Sequence, residues 1–303
     1  MGKSAMTYRI QDFVVKAVYN DDDPNLTRDN CRAMHNEANI YLILGQHPRI
    51  AECLYIGPTR DLIVLKHYPH GNLRRHIAKN TDIKPIQLQK WARQMIEGVA
   101  EIHRNGVRHS DIRLDQWLLD EENNARLSDF NASGFDANEE LGLEGSKALG
   151  LEGFSHYMPR DPMDDSTVPS DLFALGSTLY ELEVGHAPFA GSFIEEHGEK
   201  ITALFEAGKF PEVDALCFGA LILGCWKGEF STALDVLYAG EKSCGLSTRT
   251  LQKYCPEPIW SWSSRRKCKT YSSRDSHVVT HRSTNLPFNC LCMAERTGCP
   301  VFS

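Results

Sequence analysis

One short stretch limits the possible folds more than any other. Gln116-Trp117-Leu118-Leu119-Asp120, the polar run Glu121-Glu122-Asn123-Asn124 and then Ala125-Arg126-Leu127-Ser128-Asp129 read as a strand, a turn and a returning strand. A hairpin this tight brings the residues just outside its two ends to one edge. Asp111, before the first strand, and Asp129, at the end of the second, therefore converge.

The flanks of the hairpin differ in kind. Before it, Asp12 to Val18 alternates as a strand, Asn30 to Gly45 places Met34, Ile40, Tyr41 and Leu44 at helical spacing, and Leu62 to Leu65 reads as a buried strand. From Leu73 onward helices dominate. Pro85 to Arg104 aligns Leu88, Trp91, Met95, Val99 and Ile102 on one face and is stopped by Asn105-Gly106. Further helices are expected at Ser170 to Val184 and at Val213 to Leu237, the second broken around Gly224 to Gly228. The fold class is α+β, with a small, mostly β region over about 1–66 and a larger helical one over about 67–240.

Charge marks a boundary after that. Residues 241–303 hold 10 Lys+Arg against 4 Asp+Glu, whereas residues 1–240 hold 23 against 36. The basic stretch is Cys- and Ser-rich without periodicity, and the expectation is a disordered tail. A zinc site from Cys268, His277, His281, Cys290 and Cys292 lacks the C-x-x-C spacing such sites use. Cys31, Cys53, Cys217 and Cys225 sit in apolar surroundings and read as buried thiols. With 303 residues, 42% of them hydrophobic, the chain can bury a sizeable core, which excludes a fibre, a mini-protein and a wholly disordered chain. The most apolar run, Phe218 to Cys225, is too short to span a bilayer, and the N-terminal MGKSAMTYRI has no apolar signal region. Met6 and Cys299 spoil the two lipidation patterns. An intracellular protein, cytoplasmic or nuclear, is expected, with neither membrane nor nucleic acid as a partner.

His109-Ser110-Asp111-Ile112-Arg113-Leu114-Asp115-Gln116, followed by Asp129-Phe130-Asn131, resembles the catalytic loop and metal-binding motif of protein kinases, H-R-D-L-K-x-x-N and D-F-G. Other landmarks follow in the same order. Val14-Val15-Lys16 is similar to the V-A-I-K strand, Glu37 stands in the next helix, and Lys66-His67-Tyr68 stands at the hinge between lobes. Met158-Pro159-Arg160 resembles A-P-E, Asp171 to Gly176 resembles the head of the central helix, and Pro188-Phe189 follows. The variants HSDIRLDQ and LSDFNASG are similar to those of divergent kinase-like proteins of filamentous fungi.

The resemblance implies a bilobal fold, ATP and Mg2+ as cofactors, and a protein substrate. Lys16, fixed by Glu37, would hold the α/β-phosphates. Gly2 would belong to the phosphate loop, while Lys66 and Tyr68 would lie against the nucleotide. Asp129 and Gln116 would ligate metal, Asp111 would take or orient the hydroxyl proton, and Arg113 would steady the γ-phosphate. His109 would pack with Phe130 and be tied to Asp171.

Several departures bear on activity. The glycine loop reduces to Gly2-Lys3-Ser4-Ala5-Met6-Thr7, one glycine of three, with the strand before it absent. As a Walker motif, Gly2-Lys3-Ser4 lacks its spacing. Gln116 replaces Asn and reaches one methylene farther, Asn131 replaces a glycine and is expected at positive φ, Ser110 replaces an Arg, and Arg160 reverses the A-P-E charge, so that segment's anchor must differ. An active Ser/Thr kinase is the first reading and a pseudokinase acting as a scaffold the second. A small-molecule phosphotransferase is the third, disfavoured by the peptide-platform resemblance of Met158 to Gly176.

Overall fold

The computed structural model describes residues 5–80, 82–161, 163–190, 198–244 and 246. Its first part is a four-stranded antiparallel sheet of β1 (Ala5–Ile10), β2 (Phe13–Val18), β3 (Cys53–Ile56) and β4 (Leu62–Lys66), in the order β1-β2-β4-β3. Ala5, Met6 and Thr7, aligned above with the phosphate loop, are strand residues paired with Val18, Ala17 and Lys16. The hairpin turns at Gln11, whose φ is 54°. Helix α1 (Pro24–Leu44) packs on the sheet. It starts earlier than its apolar spacing suggests, because the Asp23 side chain caps the Asn25 N–H and Pro24 has the fixed φ of a first helical residue.

The remainder is helical. It comprises α2 (Leu73–Lys79), α3 (Pro85–Arg104), α4 (Val168–Val184), α5 (Gly198–Glu206), α6 (Gly219–Trp226) and α7 (Ala233–Ser243). Helix α5 is not apparent in the sequence pattern, and α6 and α7 are the two pieces of the broken helix expected there. Two small ribbons complete the fold: β5 (Val107–Arg108) with β8 (Gly134–Phe135), and the hairpin β6 (Trp117–Leu119) with β7 (Ala125–Leu127). Helix α4 is buried on nearly every side, and its Thr167–Ser170 capping box fixes its start. Gly98 of α3 lies under the Trp117 ring, where a Cβ would stand 2.9 Å from the indole, so this glycine sets how close the hairpin comes to the helix.

Two expectations need correction. The packed domain does not stop at residue 240: α7 runs on to Ser243, and Cys244 and Leu246 belong to the core, with Arg93 Nη1 donating to the Leu246 carbonyl at 2.6 Å. Cys217 is exposed and Cys31 half-buried, because each falls where the local pattern leaves the core; Cys53 and Cys225 are buried. The disordered tail and its zinc alternative lie outside the described residues. No described helix is long and apolar enough to cross a membrane.

Candidate active site

A cleft of about 360 Å³ opens between the N-terminal sheet and the β6–β7 hairpin, within the range of small-molecule sites. It has two ends of different chemistry. Val14, Leu65 and Leu118 make it apolar, with Ala5 and Thr7 of β1 above, while Lys16, Glu37, Ser128, Asp129 and Asn131 make it polar. The alternation of β6 accounts for Leu118: Trp117 and Leu119 point into the core and are fully buried, so Leu118 must face the other way. That same alternation would have nominated Leu118 from sequence.

Lys16 is clasped at the polar end. Its Nζ lies 2.6 Å from Glu37 Oε2 and 2.6 Å from Asp129 Oδ1, which joins β2, α1 and the end of the hairpin through one ammonium. Burial works against that charge, but the Glu37 and Asp129 carboxylates outweigh it and hold the lysine pKa above its usual value. For Glu37, wholly buried, desolvation prevails over Lys16 and raises the pKa. For Asp129 the attraction of Lys16 prevails over burial and lowers it.

Asp111 is 7% exposed. Arg113 Nε lies 3.0 Å from its Oδ1, and the Gln116 side-chain amide donates to its Oδ2. Burial nevertheless dominates and pushes the Asp111 carboxyl up to about 7, with Arg113 and Gln116 pulling the other way. Gln116 is itself held beside Asp129, since Ser128 donates both its N–H and its Oγ–H to the Gln116 carbonyl, at 2.9 Å each.

The loop is braced from below. Buried Asp171, at the head of α4, accepts from the His109 N–H at 2.7 Å and the Ser110 N–H at 2.9 Å, and pairs with His103 Nε2 at 3.0 Å. Its burial opposes ionisation, but these donors hold the carboxyl below its ordinary value. The tie to His109 thus runs through the backbone, while the ring lies 5.2 Å from Phe130, tilted by 54°, and its Nε2 meets the Ser128 carbonyl at 3.1 Å. Phe130 in turn meets Tyr41 of α1 edge-on at 5.3 Å. Desolvation lowers the His109 pKa, and the ring is fully buried. The bracing also sustains two strained residues, Ser110 and Asp129, each at φ 66°. Asn131 is not in the left-handed region; the positive φ falls on Asp129, two residues earlier.

Not every expected residue reaches the cleft. Lys66 turns outward to Glu121 at 3.2 Å, and the Tyr68 hydroxyl accepts from the Glu52 N–H at 2.8 Å, so both side chains are engaged elsewhere. Gly2 lies outside the described residues. The sequence pattern misses the partner of Arg160, which is Glu152: the guanidinium meets both its carboxylate oxygens at 3.0 and 3.1 Å and donates to Ser166 Oγ at 2.9 Å. This buried contact is the altered anchor that the charge reversal requires. Asp129 offers a hard carboxylate oxygen beside the fixed cation of Lys16, which suits a divalent metal bound with an anionic ligand, while the Gln116 amide is engaged by Asp111.

The sequence model of the protein kinase domain family matches residues 3–216. CBL-interacting protein kinase 31 of Oryza sativa subsp. japonica is 30% identical over 155 residues, 48% of this chain and 33% of that protein. Protein kinase C eta type of Mus musculus is 27% identical over 171 residues, 55% of this chain and 24% of its own length. Hormonally up-regulated neu tumor-associated kinase of Homo sapiens is 29% identical over 154 residues, covering 48% and 20%. The matches span about a third or less of each relative. With its cleft, its clasped lysine and more than half of its length matched by that family, the chain belongs to the protein kinase domain family.

Proposed function

We propose that this chain is a protein serine/threonine kinase that transfers the γ-phosphoryl group of ATP, with Mg2+ as cofactor. The observation that carries the proposal is Lys16, held 2.6 Å from both Glu37 and Asp129 at the polar end of an otherwise apolar cleft. A nucleotide needs both surfaces, one for its base and one for its phosphates. Lys16 would hold phosphate oxygens, and Asp129 with the Gln116 amide oxygen would hold the metal, which when bound neutralises charge on the transferring group. Asp111, poised near pH 7, suits the proton of an attacking hydroxyl. Arg113, with its side chain 41% exposed, can turn from Asp111 to the phosphate, and its place two residues after Asp111 favours Ser/Thr over Tyr. The variants HSDIRLDQ and LSDFNASG support kinship with divergent fungal kinase-like proteins.

A specific observation favours a second reading, a scaffold with weak or no turnover. Asp111 Oδ2 already accepts from Arg113 Nε and from the Gln116 amide, and Asp129 is paired directly with Lys16. The two readings part on thermal shift and transfer. ATP with Mg2+ should raise Tm in the parent and not in Lys16→Ala/Asp129→Ala, and parent but not Asp111→Asn should label a generic Ser/Thr peptide. A shift without labelling points to the scaffold. Equal shifts in parent and double variant would refute the nucleotide site.

A further inference from the structure

Away from the cleft, the start of α6 meets the end of α7. Cys244 Sγ donates to the Cys217 carbonyl at 2.9 Å, and the neighbouring Cys217 side chain helps to raise the Cys244 pKa. Neither residue is loosely placed. The Cys217 and Phe218 N–H groups both donate to the Glu183 carboxylate, the second at 3.0 Å. Cys244 donates its N–H to the Gly240 carbonyl at 3.0 Å, and its own carbonyl accepts from Gln89 Nε2 of α3 at 3.3 Å. Their accessibility differs: Cys217 is exposed and Cys244 buried.

We infer that Cys217 and Cys244 form a reversible disulfide site, closed by hydrogen peroxide, that staples the start of α6 to the end of α7. The exposed Cys217 thiolate attacks the peroxide O–O bond, giving a sulfenic acid and hydroxide. The Cys244 sulfur then displaces the sulfenic oxygen, which leaves as water with the Cys244 proton, and the S–S bond forms. Two thiols are oxidised and one peroxide is reduced to two waters. Burial raises the Cys244 pKa, which keeps it protonated and makes it the resolving partner. The bond closes a ring containing α6 and α7.

The test uses the full chain, fully reduced, then treated with hydrogen peroxide and mapped without reduction by tryptic mass spectrometry. Cys225 shares a tryptic peptide with Cys217, so fragment ions must place the cross-link. The expected result is a Cys217–Cys244 link, a Tm rise of about 5–10 °C reversed by dithiothreitol, and loss of both in Cys217→Ser. As an exposed site, Cys217→Ser should leave the reduced fold unchanged; Cys244→Ser serves as a second variant, expected to stop at the Cys217 sulfenic acid. Overturning results would be oxidation of parental Cys217 without a link, a link to another cysteine, or the same Tm rise in Cys217→Ser.

Discussion

Asp111 prefers to be protonated in the fold, because its ordinary value of 3.8 is pushed up to about 7 by burial. Between those two pH values the folded chain retains a proton that the unfolded chain has lost. Stability from this group therefore falls as pH rises from about 4 to about 7 and levels off above. Asp111→Asn removes that penalty, and its stability relative to the parent should improve by about 2–3 kcal/mol between pH 5 and pH 8 in urea denaturation. A constant difference across that window would mean that Arg113 and Gln116 fully compensate the charge. Parental transfer activity should run the opposite way, rising through pH 7 as Asp111 ionises. The nearness of Asp111 to Asp129 is legible in sequence because a short hairpin leaves its ends one place to go. The engagement of Lys66 and Tyr68 elsewhere is not, since Glu121 and Glu52 reach them through tertiary packing that no local spacing records.

The segment between Asp129 and α4 is anchored through Arg160 and Glu152, whose side chains are 7% and 0% exposed. Removing one partner strands a buried charge, so Arg160→Met should cost about 3–5 kcal/mol. Arg160→Met with Glu152→Gln should cost far less, a coupling visible in urea midpoints. Additive losses would show that the two groups act separately. The reversed charge at 160 is plain in the sequence, but its partner is not, because Glu152 is one of many acids and only the folded segment selects it. Long, strongly periodic elements such as α3 are legible to the residue. Helix α1 begins earlier than its apolar face, and β1 is masked by the likeness of Ala5-Met6-Thr7 to a phosphate loop.

The core extends beyond the charge boundary, and truncation should reveal where it ends. Removing residues 247–303 should preserve the cooperative melt. Removing 241–303 also takes the last turn of α7, two buried side chains and the acceptor of Arg93, and should lower Tm by about 10 °C in a circular-dichroism melt. Equal Tm values for the two truncations would return the boundary to residue 240. The sheet order β1-β2-β4-β3 carries a further consequence, for folding speed. β2 meets β4 only after α1 and β3 have been gathered between them, whereas β6 and β7 close over the five-residue polar turn Asp120 to Asn124. Loop-closure entropy delays the first pairing and hardly touches the second. The two walls of the cleft therefore form on different clocks: the hairpin floor that carries Asp129 early, the sheet that carries Lys16 late. The Lys16–Asp129 pair is then among the last contacts a refolding chain acquires.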